Sequence, residues 1–210
     1  MLRVGLTGGI ACGKTFVRRL LAERGAFTLD ADTVVHQLMD QQTELTAAIG
    51  RKFGPDVLAP DGSVDRKKLG AIVFSDPDAR RQLNRLVHPE VIAQEKRLLE
   101  EAERGDMQIG VIDAALMIET GTYRDYDRLV VVYCPREVQL ERLRARDGLS
   151  AEDAAHRIDS QLSVEQKKLY ADYVVDSSGS LEDTERRVGE VWECLLCDAG
   201  GEPPSPRPSP

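Results

Sequence analysis

Eight residues near the start of the chain are suited to binding phosphate. They are Gly8-Gly9-Ile10-Ala11-Cys12-Gly13-Lys14-Thr15, and they fit the pattern G-x-x-x-x-G-K-S/T. In such a loop the glycines let successive backbone N–H groups point at one phosphate. Lys14 can then reach the β- and γ-phosphates, and the Thr15 hydroxyl can ligate Mg²⁺. The loop therefore predicts binding of a nucleoside triphosphate.

The sequence on either side of this loop predicts the elements that it needs. Leu2–Leu6 is a short apolar run that predicts a buried strand. Thr15–Arg24 predicts a helix, with Val17 and Leu20 on one face and Gly25 as its C-terminal stop. Strand, glycine loop and helix in this order are the context of a phosphate-binding loop, and the helix start adds partial positive charge.

The thiol of Cys12 lies inside the loop, at the helix start and two residues before Lys14. The helix start and the lysine both favour the thiolate, so the sequence predicts that the Cys12 thiol has a lowered pKa, is reactive and is shielded by bound ATP. The alternative is that Cys12 packs beneath the loop as a small apolar residue and does not react.

Five short apolar runs predict the strands of one sheet. They are Leu2–Leu6, Phe27–Leu29, Gln108–Ile112, Leu129–Tyr133 and Tyr173–Val175. Each is followed by helical or turn sequence, and continuous Val/Ile runs are typical of strands buried on both faces. The pattern predicts an α/β fold with a parallel sheet.

Three of these runs lead directly into an aspartate: Asp30, Asp113 and Asp176. Ligands of open α/β sheets lie beyond the carboxyl ends of the strands, so these acids are expected near the phosphate loop. In Asp30-Ala31-Asp32 we expect one carboxylate to cap the following helix and Asp32 to accept a proton from an acceptor hydroxyl. Asp113 is expected either to hold Mg²⁺ through water or to be a plain helix N-cap.

Two helical segments are predicted between the strands. Thr33–Gly105 contains no convincing strand, and an insertion at this place could hold a second substrate. Within it, Asp76-Pro77 predicts one helix start, and Pro89–Arg104 predicts a separate charged helix stopped by glycine. Pro135–Tyr170 predicts a helical hairpin with Asp147-Gly148 at its turn.

The predicted hairpin is rich in arginine. Arg142 and Arg146 are four residues apart, hence on one helix face, and Arg157 follows on the second arm. For these three side chains, a lid that clamps phosphate and a solvated charged face are alternative interpretations. For Arg136 and Arg144 we expect a solvated face.

Composition limits the function classes. The chain has 210 residues and a net charge of −8, which argues against non-specific binding of nucleic acid. No apolar run approaches the roughly 20 residues of a membrane span, so we expect a cytoplasmic protein without membrane or obligate protein partners. Cys194 and Cys197 are expected to be small apolar residues of the last helix rather than a metal or redox pair.

Several nucleotide-binding classes are disfavoured by missing motifs. The chain has neither the N-K-x-D motif of GTPase switches nor the L-S-G-G-Q signature of transporter ATPases. A small chain with a helical insertion and an arginine-rich hairpin favours a small-molecule kinase that closes over two ligands. A different nucleoside or nucleotide kinase and a nucleotide-binding module without transfer activity are the competing hypotheses.

Further motifs carry a resemblance that runs in order from about residue 3 to residue 192. They are Gly5-Leu6-Thr7-Gly8-Gly9-Ile10, Gly13-Lys14, Asp30-Ala31-Asp32, Phe53-Gly54, His88-Pro89, Arg146-Asp147, Leu149-Ser150, Arg157-Ile158, Gln161 and Ala171-Asp172. This set resembles the dephospho-CoA kinase family, of P-loop NTPase-type three-layer fold. The resemblance implies transfer of the ATP γ-phosphoryl group to the ribose 3′-hydroxyl of dephospho-CoA, the last step of CoA synthesis.

The resemblance also implies roles for individual residues, with ATP and Mg²⁺ as cofactors. The implied catalytic residues are Asp32 as the base, Lys14, Arg142 and Arg146. The implied nucleotide contacts are Gly9, Ala11, Cys12, Gly13, Lys14, Thr15, Phe16, Arg157 and Ser178. The implied acceptor contacts are Asp32, His88, Leu116 and Glu119, and the implied metal ligands are Thr15 and Asp113. His88 is expected either to contact the CoA ligand or to set the turn before Pro89.

The chain departs from the family pattern at three places. Ala11 and Cys12 replace the usual glycine and serine, and an alanine forced to positive φ would cost about 1 kcal/mol. The family's D-x-P-L-L-F-E is Asp113-Ala114-Ala115-Leu116-Met117-Ile118-Glu119, without proline. Asp176-Ser177-Ser178-Gly179 replaces the commoner D-N-x-G.

The resemblance divides the chain into four parts. Residues 1–32, 106–134 and 171–197 are expected to form the nucleotide-binding core with its five-stranded parallel sheet. Residues 33–105 are the expected helical CoA-binding insertion and 135–170 the helical lid. The proline-rich residues 198–210 are expected to form a disordered tail.

Overall fold

The computed structural model describes residues 1–200, apart from the side chain of Phe74. The chain divides into two compact units. The first, here called the sheet unit, comprises Met1–Leu29 and Ala102–Pro210, and the second, the helical unit, comprises Asp30–Glu101. The helical unit overlaps most of the expected insertion, residues 33–105, and it includes Asp30 and Asp32. The expected lid belongs to the sheet unit.

A five-stranded parallel sheet has the order β2-β3-β1-β4-β5. Its strands are β1 (Leu2–Gly8), β2 (Phe27–Asp30), β3 (Ile109–Asp113), β4 (Arg128–Tyr133) and β5 (Tyr173–Asp176). In the register, Leu6 of β1 lies opposite Asp113 on one side and Val130 on the other. Since β1 is the central strand, the loop that follows it lies between the carboxyl ends of β3 and β4. All five predicted strands are confirmed, and each of the three aspartates is the last residue of its strand.

Nine α-helices lie among the described residues. They are α1 (Lys14–Glu23), α2 (Ala31–Met39), α3 (Glu44–Phe53), α4 (Arg66–Ser75), α5 (Pro77–Arg104), α6 (Arg136–Asp147), α7 (Ala151–Asp159), α8 (Val164–Lys168) and α9 (Leu181–Gly200). Helices α1 and α9 pack on each other and on the sheet, and α8 packs on β4. Strands β1, β3 and β4 are almost fully buried, as a sheet covered by helices on both faces requires.

The hairpin of α6 and α7 has the expected turn and cap. Gly148 ends α6 at φ 66°, a conformation that glycine adopts without strain. The Ser150 side chain accepts a hydrogen bond from the backbone N–H of Asp153 and so starts α7. Leu143, Ala154 and Ile158 are buried together between the two arms.

The helix predicted to begin at Pro89 does not exist as a separate element. Helix α5 starts at Pro77, where Asp76 accepts hydrogen bonds from two backbone N–H groups, and continues through Pro89 to Arg104. Val87 and Val91 are buried on either side of the proline. Burial of this apolar face outweighs the one backbone hydrogen bond that Pro89 cannot donate.

One expectation for the C-terminal part was wrong. Helix α9 extends to Gly200, so the expected tail does not begin at Asp198. The Asp198 carboxylate instead accepts hydrogen bonds from Arg128 at 2.7 and 3.0 Å and from the Tyr173 hydroxyl at 2.7 Å. Cys194 and Cys197 lie in α9, as expected, and both are free and exposed. The rest of the expected tail, residues 201–210, lies outside the described residues.

No helix in residues 1–200 combines the length and the apolar character needed to cross a membrane.

Candidate active site

The phosphate loop has the backbone conformation that its sequence requires. Gly13 caps α1 at φ 80°, a left-handed conformation that suits glycine. Ala11 also has positive φ, at 60°, so the strain of about 1 kcal/mol expected for alanine applies here. A Cβ atom added at Gly9 would overlap the side-chain amide of Gln139, which would have to shift away from the loop.

Two side chains from elsewhere in the chain orient the peptide groups of the loop. Gln139 Nε2 donates to the carbonyl of Ile10 at 2.7 Å, and Ser177 Oγ donates to the carbonyl of Cys12 at 2.7 Å. In a trans peptide the C=O and the following N–H point in opposite directions. The N–H groups of Ala11 and Gly13 therefore point away from these side chains, as phosphate binding by the loop requires.

Lys14 and Asp113 form an ion pair at the centre of the sheet unit. The Lys14 ammonium group donates to Oδ1 of Asp113, and Arg18 Nε lies 3.4 Å from Oδ2 of the same carboxylate. The Asp113 side chain is 1% exposed, so the pair is shielded from solvent on the carboxylate side. The position of Asp113 at the end of β3 places it next to the phosphate loop, as predicted.

These residues fit a magnesium ion. The exposed Thr15 supplies a hydroxyl oxygen and Asp113 a carboxylate oxygen, which are the hard ligands that Mg²⁺ prefers. Among residues 1–200, no group of three or more His, Cys, Asp or Glu side chains could hold a metal. One or two protein oxygens completed by phosphates and waters are the usual arrangement for Mg²⁺ in nucleotide enzymes.

The expectation that Cys12 is a reactive thiol was wrong. Cys12 is 1% exposed, and its Sγ atom lies 3.3 Å from Sγ of the buried Cys134. The contact with Cys134 and burial both raise the pKa of the Cys12 thiol above its ordinary value. The side chain therefore packs beneath the loop against Cys134, which is the alternative that the sequence left open.

The acceptor-side candidates Asp30, Asp32 and His88 all belong to the helical unit. Oδ1 of Asp30 accepts a hydrogen bond from the backbone N–H of Thr33 at 3.2 Å and caps α2, as expected for one of the two acids. Asp32 lies exposed in the first turn of α2, and no ion pair to it is found within residues 1–200. His88 is exposed within α5, so the alternative that it sets a turn before Pro89 was wrong.

The hairpin arginines form two separate groups. Arg142 donates to the carbonyl of Ser177 at 2.7 Å and so approaches the phosphate loop through that residue. Arg146 and Arg157 share the carboxylate of Asp147, at 2.7 and 3.0 Å. The hydrogen bond from Arg146 and the charge of Arg157 lower the pKa of Asp147.

Arg136 does not merely form part of a solvated face. It makes two hydrogen bonds to Asp159, at 2.5 and 2.9 Å, and so joins the two arms of the hairpin.

The remaining candidates lie in three places. Phe16 is in α1, with the Arg19 guanidinium 5.1 Å from its ring centroid. Ser178 is exposed in the turn after β5 and donates to Asp176 at 2.6 Å. Leu116 and Glu119 are in the segment after β3, where Leu116 is 46% exposed and Glu119 pairs with Lys167 at 2.9 Å.

Comparison with known proteins decides the family. The sequence model of the family described as dephospho-CoA kinase (CoaE) matches residues 2–183. The dephospho-CoA kinase of Streptomyces avermitilis is 45% identical over 196 residues, which are 93% of this chain and 95% of that protein. That of Symbiobacterium thermophilum is 44% identical over 200 residues, 95% of this chain and 84% of that protein.

This chain belongs to the dephospho-CoA kinase family. The structural comparison agrees with the sequence comparison. The dephospho-CoA kinase from Campylobacter jejuni superposes on this chain with a TM-score of 0.63 and is 26% identical to it in sequence. The superposition covers 92% of this chain and 96% of that protein. The resemblance read from the motifs is thereby confirmed. Dephospho-CoA kinases are ATP-dependent transferases of CoA biosynthesis.

Sequence reasoning missed several residues that build this dephospho-CoA kinase site. They are Arg18, Cys134, Gln139 and Ser177. Each makes a contact with a residue far away in the sequence, which no local pattern predicts. The buried position of a glutamine would have been the signal, but burial of that residue could not be predicted from the sequence.

Proposed function

We propose that this chain transfers the γ-phosphoryl group of ATP to the ribose 3′-hydroxyl of dephospho-CoA, giving CoA and ADP. The observation that carries the proposal is a complete phosphate loop, with its N–H groups oriented by Gln139 and Ser177, in a chain of the dephospho-CoA kinase family. The chemistry requires little beyond positioning and charge neutralisation, and the candidate residues supply both.

On the nucleotide side, Lys14 leaves Asp113 for the β- and γ-phosphates when ATP binds. Thr15 and Asp113 would hold Mg²⁺, which would neutralise negative charge on the triphosphate. The Asp113 carboxylate keeps its contact with Arg18 and so remains fixed. The loop residues Gly9, Ala11, Cys12 and Gly13 contribute backbone groups rather than side chains.

The hairpin is proposed to act as the lid. Arg142, Arg146 and Arg157 neutralise the negative charge that spreads over the transferred phosphoryl group. Phe16 and Ser178 are proposed as further nucleotide contacts. Three arginines supplied by one hairpin would explain how a chain of net charge −8 can hold two anionic ligands.

On the acceptor side, Asp32 is proposed as the general base. Its carboxylate accepts the proton of the 3′-hydroxyl while the hydroxyl oxygen forms a bond to the γ-phosphorus. The bond from that phosphorus to the β,γ-bridging oxygen breaks, and ADP leaves with the electron pair. His88, Leu116 and Glu119 are proposed to contact dephospho-CoA, and the chain is proposed to work in the cytoplasm.

The decisive experiment compares two neighbouring aspartates. Asp32→Asn removes the base and should lower kcat about 10²-fold or more, with a smaller effect on ATP binding. Asp30→Asn is the matched control, because asparagine caps a helix as well as aspartate does. ADP release is measured with dephospho-CoA, adenosine, nucleoside monophosphates and water as acceptors.

The expected result is rapid ADP release with dephospho-CoA alone and a large defect in the Asp32→Asn variant alone. Equal release with water or adenosine would overturn the acceptor assignment. Normal turnover of Asp32→Asn together with a defect in Asp30→Asn would show that Asp30 is the base.

A further inference from the structure

Lys167 is a buried cation outside the residues so far assigned to the reaction. It lies in α8, its side chain is 0% exposed, and its ammonium group donates to the carbonyl of Ala115 at 2.7 Å. The same nitrogen lies 2.9 Å from Oε1 of Glu119. A buried ammonium group is costly unless it is paired and hydrogen-bonded, and both partners belong to the segment that follows Asp113.

The first partner connects Lys167 to the strand that carries the phosphate loop. The carbonyl of Ala115 also accepts a hydrogen bond from the Thr7 hydroxyl at 3.1 Å. Thr7 is a fully buried residue of β1, directly before Gly8. A carbonyl has two lone pairs, so both donors can be satisfied at once. Ala115 is thereby fixed between β1 and α8, two residues after Asp113.

The second partner connects Lys167 to the end of the hairpin. Oε1 of Glu119 accepts a hydrogen bond from the backbone N–H of Leu162 at 3.0 Å, in the connection between α7 and α8. Between the two contacts, Met117 and Ile118 are buried in the core. One ammonium group therefore holds both ends of the segment 115–119 and joins it to the base of the hairpin.

We propose that Lys167 is a positioning residue for phosphoryl transfer, which it serves by fixing the segment 115–119 and, through it, the carboxylate of Asp113. The proposal rests on the proposed function, in which Asp113 holds Mg²⁺. Stability alone does not explain a buried ion pair, since apolar side chains of similar size often replace such pairs without loss. A need to hold the Asp113 carboxylate accurately in place does explain the buried ion pair, because a displacement of about 1 Å at a reacting group can cost about 10²-fold in rate.

The test replaces Lys167 with a methionine, which has similar length and no charge. Lys168→Met is the matched control: it removes the same charge from the same helix, but Lys168 is 35% exposed and pairs with Glu165 on the surface. Turnover is measured against dephospho-CoA, ATP and Mg²⁺ concentration in folded protein. Hydrogen exchange of the segment 114–120 is measured in the same preparations.

Lys167→Met should lower kcat at least about tenfold and raise the Mg²⁺ concentration for half-maximal rate, while ATP affinity changes less than about threefold. Exchange in the segment 114–120 should accelerate, while β1 stays protected. Lys168→Met should leave kcat, the Mg²⁺ dependence, the ATP affinity and the exchange of the segment 114–120 unchanged.

Unchanged kcat and Mg²⁺ dependence in folded Lys167→Met would overturn the proposal, as would a loss of kcat with unchanged exchange in 114–120. Should Lys167→Met be too unstable to purify, Lys167→Gln, which removes the charge but keeps a hydrogen-bond donor, is measured in the same way. If the wild-type chain does not phosphorylate dephospho-CoA, the proposed function fails, whereas the exchange comparison still tests the role of Lys167.

Discussion

Gln139 offers a sharp test of how the phosphate loop is held. Its side chain is 3% exposed, and its amide donates to the carbonyl of Ile10 at 2.7 Å. Gln139→Glu preserves the shape of the side chain and replaces the donor with a carboxyl group. When protonated, that group can still donate to Ile10; when ionised, it places a negative oxygen against the carbonyl oxygen.

The contact distance and burial set the size of the effect. Burial and the facing carbonyl both disfavour the ionised form, so the pKa of the introduced carboxyl group rises in the folded state. A rise of about two units above the unfolded value of about 4.3 corresponds to about 2.7 kcal/mol. Because the folded state then binds more protons, the free energy of unfolding falls as pH increases from about 4 to about 6 and stays low above that.

Urea unfolding of Gln139→Glu at pH 5 and pH 8, each relative to wild type at the same pH, should differ by about 1.7 kcal/mol, because about 1 kcal/mol is already lost at pH 5. ATP binding should weaken in parallel, since the N–H of Ala11 loses its orientation. Ala145→Glu adds the same charge to the exposed side of α6 and should show no such pH dependence. A Gln139→Glu variant as stable relative to wild type at pH 8 as at pH 5 would refute the reasoning.

Three further predictions concern other parts of the molecule. Lys14→Ala should reduce turnover by orders of magnitude in a protein that remains folded; near-normal turnover would remove Lys14 from the site. Brief alkylation followed by peptide mapping should label the exposed Cys194 well before the buried Cys12; the reverse order would contradict the packing beneath the loop. Asp198→Ala should lower the free energy of unfolding by about 1.5–3 kcal/mol in urea denaturation, because Arg128 loses two charge-assisted hydrogen bonds; an unchanged midpoint would show that the end of α9 is not anchored there.

Local sequence patterns were sufficient to predict the strands, helices and turns that carry the candidate site residues. The glycines of the loop, the aspartates that end β2 and β3, and the Ser150 cap each depend on residues within a few positions in the chain. Turn and cap chemistry is local, and so is the alternation between apolar strand and polar helix. These features were therefore predictable from the sequence.

Other features depend on the tertiary environment and were mispredicted or missed. Pro89 was interpreted as a helix start because proline disfavours a helix interior, but burial of α5 on both sides of it prevails. Asp198 was assigned to a tail because no apolar anchor follows it, yet its anchor is polar and comes from β4 and β5. The thiol of Cys12 was assigned a low pKa from its neighbours in sequence, whereas its neighbour in space is Cys134.

The carboxylate shared by Arg146 and Arg157 has a consequence for turnover. Asp147 is the counter-ion of both guanidinium groups, at 2.7 and 3.0 Å. Under the proposed function, the phosphates of ATP would have to compete with the Asp147 carboxylate for both arginines. Because ADP carries less negative charge than ATP, it would compete less well, and Asp147 would therefore favour the release of ADP after transfer.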